Sequence, residues 1–355
     1  MCYYPRMRFP VDGLFLDSHI LKSGGYNAAS KCFIVDLRNK DRIEYLCTFL
    51  PKFGFDLDSS EQIPCGMCEE CRLDYAKEWA QRCMAEATLW KHNYFVTLTY
   101  DDEHLAECYD FTISRRTGEP GVFPCLVKDH LEKFKKDLRA YMKYHFNMDN
   151  IRTYECGEYG SKNGRPHFHI LLYNCELPDL QVLKTYDVKG KTVTYCTSEI
   201  IEKTWSRGFI TIGEVTWDSC SYVARYMLKK LIGKHNDQYL EACKNAGVTP
   251  QLNEFTNGSR RPGIGRAYYD MHKDSIYSVD KDVLTAGHVV KPCKYFDNLY
   301  DLENPGLLSE LKMQRRKLGL LLQAQKMKGV SDIEAYHKRH IEISQRKLKK
   351  LVRTV

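Results

Sequence analysis

The sequence has no run of apolar residues approaching the ~18 that would cross a membrane as a helix. Its first residues, MCYYPRMRFPVDG, lack the continuous apolar segment of a secretory signal. These absences predict a protein without a membrane span, working in a cytoplasm. The phosphate-cradling pattern G-x-x-x-x-G-K-[ST] is also missing, so nucleotide-driven unwinding would have to come from another protein. Charge imbalance is small. The 53 Lys and Arg against 46 Asp and Glu leave +7, which favours a polyanionic partner without establishing one.

What is abundant is cysteine, at 15 residues, and tyrosine, at 24. In a cytoplasm the cysteines read as reduced thiols, some of them available as metal ligands. Tyrosines on a basic protein suit stacking against unpaired bases, although most rings fill cores and sheet faces. At 355 residues the chain is long enough for one sizeable core and a small second unit.

The alternating stretches Lys31–Leu37 and Arg42–Leu50 predict short strands. A helix is expected from Leu73 to about Lys91, then a strand over Tyr94–Tyr100 and an amphipathic helix from Lys128 to about Phe146. Ile151–Glu158 and His167–Tyr173 form a predicted hairpin around the Gly160–Pro166 turn. A short helix over Glu199–Trp205, a strand over Phe209–Val215 and a helix from Ser221 to about Ile232, capped by Ser219 or Ser221, complete the centre. The order predicts an α+β unit, a mainly antiparallel sheet with helices on one face. Five segments follow: an N-terminal segment (1–60), a cysteine motif and helix (61–92), a central unit (93–235), a turn-rich extension (236–305) and a basic helical tail (306–355). From Lys312 to Arg353 there are 13 Lys or Arg against 3 Asp or Glu. That tail suits contact with a nucleic-acid backbone, or is a solvated face.

Two constellations carry chemistry. In Gly164-Arg165-Pro166-His167-Phe168-His169, two histidines at i and i+2 share one face of a strand, about 7 Å apart. If the hairpin pairs around its turn, Glu158 falls opposite His167, and Glu155 is the alternative carboxylate. Two imidazoles and a carboxylate make a mixed site for Mg²⁺ or Mn²⁺ with room for phosphate and water. In Ser221-Tyr222-Val223-Ala224-Arg225-Tyr226-Met227-Leu228-Lys229-Lys230, Tyr222 and Tyr226 lie side by side on a helix, with Lys229 or Lys230 beside them. A nearby cation and a metal-bound phosphate would ease formation of phenolate from a group whose free pKa is about 10. The plain reading of both rings is core packing. Arg165 and Arg225 are candidates for DNA backbone contacts. Cys65, Cys68 and Cys71 are three thiols in a tight loop, with Cys83 the next in sequence; structural zinc and free thiols packed near a helix start both fit.

Three signatures thus stand in order: Phe95-Val96-Thr97-Leu98-Thr99-Tyr100, His167-Phe168-His169, and Tyr222-x-x-x-Tyr226 with Lys229 and Lys230. This pattern resembles the HUH endonuclease superfamily, named for histidine–hydrophobic–histidine. The paired tyrosines and Pro64-Cys65-Gly66-x-Cys68-x-x-Cys71-Arg72 resemble the replication initiators of microviruses, small single-stranded DNA phages, and most closely their gokushovirus branch. The resemblance covers about 60–235. It implies a five-stranded antiparallel sheet, ferredoxin- or RRM-like, with the histidines on a central strand above Thr97 and Thr99. It places the metal-site carboxylate at Glu158. The implied activity is metal-dependent nicking and joining of single-stranded DNA at a viral origin, through a 5′-phosphotyrosine. The implied partners are single-stranded and replicative-form viral DNA, with a host helicase and polymerase, in the host bacterial cytoplasm. The competing readings are a non-catalytic origin- or RNA-binding protein, a metal-dependent hydrolase using water, and a transposase or relaxase of the same superfamily.

Overall fold

The computed structural model describes residues 6–11, 14, 16, 26–28, 30–66, 68–160, 163–188, 191–225, 234–284, 288–332, 335, 336, 338, 339, 341–343 and 346. The chain divides into two compact units, one of Met1–Asp74 with Ala324–Val355 and one of Tyr75–Gln323.

In the first unit, β1 (Arg6–Pro10), β2 (Tyr26–Asn27), β3 (Cys32–Asp36) and β4 (Glu61–Ile63) form an antiparallel sheet in the order β2-β3-β1-β4. The segment expected as a second strand, Arg42–Leu50, is instead mostly helix α1 (Lys40–Phe49). Asn39 caps it by accepting the Arg42 N–H. Ile43, Leu46, Cys47 and Leu50 recur at helical spacing and join the core of Phe9, Phe33 and Phe55. The 3.6-residue period therefore wins over apparent alternation. Helix α2 (Glu69–Thr88) begins in this unit and continues into the second.

The second unit is built on β5 (Asn93–Tyr100), followed by α3 (Asp102–Ala106), the hairpin β6 (Tyr109–Ile113) and β7 (Pro120–Pro124), and α4 (Lys128–Phe146). Next come β8 (Arg152–Tyr159), β9 (Pro166–Tyr173), β10 (Gln181–Val188), β11 (Lys191–Thr197), α5 (Glu199–Trp205), β12 (Gly208–Glu214), α6 (Trp217–Arg225) and α7 (Lys234–Ala246). After β13 (Phe255–Gly258) run α8 (Arg266–Val279), the pair β14 (Asp282–Leu284) and β15 (His288–Val290), α9 (Lys294–Glu303) and α10 (Leu307–Met327). The main sheet has seven antiparallel strands, ordered β10-β11-β12-β5-β9-β8-β13, rather than five. The hairpin β10–β11 and the short β13 extend its two edges.

Helices cover both faces of this sheet, not one. On one face Leu131, Phe134, Leu138 and Met142 of α4, with Ile200, Ile201 and Trp205 of α5, pack on Phe168, Ile170 and Leu172. On the other, Ala80 and Cys83 of α2, Cys220 and Val223 of α6, and aromatic residues of α8 and α9 pack on Tyr154, Cys156, Leu171 and Tyr173. This is why β8 and β9 read as almost unbroken buried runs. Each large apolar side chain so buried contributes about 1.5–3 kcal/mol. The segment expected to be rich in turns supplies α8 and α9. From the basic stretch, Arg315 is drawn into this unit, paired with Asp280 and Asp297.

Candidate active site

The β8–β9 hairpin sets the site. Its register pairs Glu158 with His167 and Cys156 with His169, while β5 pairs Thr99 with His167 and Thr97 with His169. Glu158 Oε1 lies 2.5 Å from His167 Nε2 and 3.2 Å from His169 Nε2. One ligand atom from each of the three residues lies within 4.8 Å of the others. The remaining ring nitrogens are tied outward. His167 Nδ1 donates to the Arg165 carbonyl at 3.1 Å, and His169 Nδ1 meets Thr97 Oγ1 at 3.0 Å. With the proton on Nδ1 in both rings, both Nε2 lone pairs converge on a carboxylate oxygen. Three acceptors cannot sit so close without a cation or proton among them, and outward-tied Nδ1 groups are how metal-binding histidines are held. The donor set fits a divalent ion.

Glu158 is 2 % and His169 5 % exposed. Burial alone would raise the Glu158 carboxyl, but hydrogen bonds and charge from His167 and His169 outweigh it and hold it at about 2. Glu155, the alternative ligand, is excluded by strand geometry. It lies three residues from Glu158, hence on the opposite face, where Lys135 Nζ donates to its Oε1 at 2.6 Å.

Tyr222 stands over this centre, its hydroxyl 3.5 Å from His169 Nε2. Its ring meets the His169 ring edge-on, with centroids 5.1 Å apart, and Phe95 stacks on the other side of that imidazole at 5.4 Å. Phe95 was part of the motif, but nothing in the sequence assigned it this contact. Helix α6 starts earlier than expected, so neither Ser219 nor Ser221 is its cap. The Thr216 hydroxyl accepts from the Ser219 N–H, and the Ser219 hydroxyl accepts from the Thr216 N–H, a reciprocal cap. Tyr226, Lys229 and Lys230 lie outside the described residues. Arg225 is partly buried in the last turn of α6, and Arg165 bonds Asp102 at the mouth of the hairpin.

Cys65, Cys68 and Cys71 come together, their Sγ atoms within 4.8 Å of one another. Cys83 does not join them. It sits on the same helix as Cys71 but about 18 Å further along its axis, fully buried in the core of the second unit. Burial pushes its thiol up to about 12.

Comparisons with known proteins agree with the motifs. The family of replication-associated proteins typified by ORF2 matches residues 93–231, from the start of β5 to just beyond α6. The chain is 35% identical over 265 residues to replication-associated protein ORF2 of Spiroplasma virus 4, covering 73% of this chain and 74% of that one. It is 33% identical over 247 residues to replication-associated protein VP4 of Bdellovibrio phage phiMH2K, covering 70% of each. Replication-associated protein ORF4 of Chlamydia phage 1 is 30% identical over 199 residues, 54% of this chain and 44% of that protein. No solved structure matches the chain. At this identity and coverage, the chain belongs to the family of phage replication-associated proteins that its microvirus-like motifs resemble.

Proposed function

We propose that this protein nicks and rejoins single-stranded DNA at a phage origin, initiating rolling-circle replication through a covalent tyrosine link. The observation that carries the reading is the position of the Tyr222 hydroxyl, 3.5 Å from a nitrogen of the Glu158–His167–His169 cluster. Those three residues would hold Mg²⁺ or Mn²⁺, the imidazoles tilting the choice toward Mn²⁺, and the bound ion would polarise the scissile phosphate. Thr97 and the Arg165 carbonyl keep both imidazoles oriented for this task. The Tyr222 oxygen attacks phosphorus as its proton departs. The P–O3′ bond breaks, the 3′ oxygen takes up a proton, and a 5′-phosphotyrosine forms. The free 3′-OH then primes synthesis. Because the phosphotyrosine retains the energy of the broken ester, attack by a 3′-OH rejoins the strand without ATP. Tyr226 is the second nucleophile of this scheme, with Lys229 or Lys230 as the assisting cation. Without a phosphate-binding loop in the sequence, a host helicase and polymerase supply unwinding and synthesis, in the host cytoplasm.

The test is incubation of labelled single-stranded origin DNA with the protein and Mn²⁺, followed by a denaturing gel. A protein–DNA adduct that vanishes in the Tyr222→Phe, Tyr226→Phe double variant supports the reading. Cleavage without any adduct points to water as nucleophile. Binding without cleavage leaves a non-catalytic DNA- or RNA-binding protein.

A further inference from the structure

Nothing in the nicking scheme uses the three thiols at the start of α2. We propose that Cys65, Cys68 and Cys71 form a second, structural metal site that binds zinc. It lies in the first unit and is chemically distinct from the Glu158–His167–His169 centre.

The local chain builds the site from two directions. The Cys68 carbonyl accepts the Arg72 N–H at 3.0 Å, which makes Cys68 the N-cap of α2 and puts Cys71 on its first turn. Helix geometry therefore brings these two side chains to the end of the helix where negative charge is favoured. Cys65 reaches the same place from the preceding loop. The backbone turns at Gly66, whose φ of 75° is left-handed, and the Cys68 N–H then donates to Cys65 Sγ at 3.2 Å. That bond is an independent sign that Cys65 Sγ is an acceptor, as a metal-bound thiolate would be.

The distances match an ion better than a disulfide. Cys65 Sγ and Cys71 Sγ are 4.0 Å apart. A disulfide needs about 2.05 Å, whereas a tetrahedral zinc with Zn–S bonds of about 2.3 Å sets sulfur pairs roughly 3.8 Å apart. Among the described residues, only this cluster and the histidine centre bring three such ligands together. The other cysteines serve differently: Cys83, Cys175 and Cys293 are buried thiols that burial raises to about 12. Three thiolates are a soft donor set, which selects zinc over the Mg²⁺ or Mn²⁺ suited to a carboxylate and two imidazoles. The fourth tetrahedral position falls to water or to a residue outside the described ones, Cys2 among them. Bound zinc would lock the loop after β4 onto the start of α2. A small sheet with one packed helix gains most from such a clamp.

Metal analysis of the full chain decides the matter. The protein is purified without added metal, passed through EDTA to strip weakly held ions, and assayed for zinc by mass spectrometry. The expected result is about one zinc per chain, retained in the His167→Ala, His169→Ala double variant and lost in Cys68→Ser. Growth with Co²⁺ should give the near-ultraviolet sulfur-to-cobalt band, present in the wild type and in the histidine variant. If Cys68→Ser does not fold, these two wild-type measurements still decide. Wild-type protein that carries no zinc, stays zinc-free after exposure to Zn²⁺, and shows no cobalt–thiolate band would overturn the site. Loss of zinc in the histidine variant with retention in Cys68→Ser would overturn it equally. Neither outcome depends on nicking.

Discussion

At the scale of single residues, the metal cluster was largely legible because a short hairpin obeys simple arithmetic. The turn fixes the register, the register puts Glu158 opposite His167, and the two-residue period puts His169 on the same face. The same period removes Glu155. What the sequence did not disclose is which groups orient the imidazoles, since that depends on where a strand some seventy residues earlier comes to rest. Thr97 is the clearest case, its hydroxyl on His169 Nδ1. Thr97→Val keeps the shape and removes that bond. Mn²⁺ affinity should fall by about 10- to 100-fold while the rate at saturating Mn²⁺ changes little. Titration of adduct formation against Mn²⁺ checks this, and an unchanged half-saturation point would remove Thr97 from the site. Gly208 makes a purely structural demand. Its φ is 139°, and an added Cβ would lie 2.2 Å from the Asp101 nitrogen and 2.5 Å from the Thr99 carbonyl oxygen. Gly208→Ala should therefore cost more than about 1 kcal/mol of stability, read from thermal unfolding.

At the scale of elements, the strands and helices that touch the site were readable and the layers that enclose them were not. Helix α4 declared itself by one apolar stripe, and β9 by its apolar run. The hairpin β10–β11 escaped because nearly all of β10 is exposed, so no face of it alternates cleanly. Helices α8 and α9 escaped because tyrosines and charges bury together there, with Tyr268 on Asp282 and Tyr277 on Asp297. A buried ion pair fastens this second layer to the sheet. Arg152 Nε on β8 donates to Glu86 Oε1 on α2 at 2.6 Å, and the Gly265 N–H donates to Glu86 Oε2 at 2.8 Å. Both side chains are nearly inaccessible, at 5% and 1%. Glu86→Ala would strand the guanidinium and free α8 at its start, costing about 3–5 kcal/mol. Urea unfolding measures this directly, and a loss under about 1 kcal/mol would mean that water replaces the pair.

At the scale of the molecule, a net charge of +7 says little about where DNA runs, but the sheet says more. The register places Phe209 opposite Thr99 and Thr211 opposite Thr97, on the face that holds the histidines. Further toward the edge, Tyr195 lies beside Gly213, Tyr186 meets Tyr195 edge-on at 6.0 Å, and Lys184 Nζ sits 4.4 Å over the Tyr186 ring. Phe209 is 68% and Tyr186 41% exposed, a high exposure for large rings on a sheet otherwise packed on both sides. Rings beside a lysine on an open sheet face are what unpaired bases and their phosphates bind. If the strand to be nicked lies along this face, Phe209→Ala and Tyr186→Ala should each weaken single-stranded DNA binding by about 1–3 kcal/mol, roughly 5- to 150-fold. Lys184→Ala should weaken it too and flatten its salt dependence by about 0.7 in log–log slope. Adduct formation at saturating DNA should survive all three changes, since none of these residues adjoins the reacting phosphate. Fluorescence anisotropy across a salt series, run beside the adduct assay, separates the outcomes. Unchanged affinity in the Phe209 and Tyr186 variants would move the DNA path elsewhere while leaving the tyrosine chemistry intact. Loss of adduct at saturation would instead place these rings within the reacting centre.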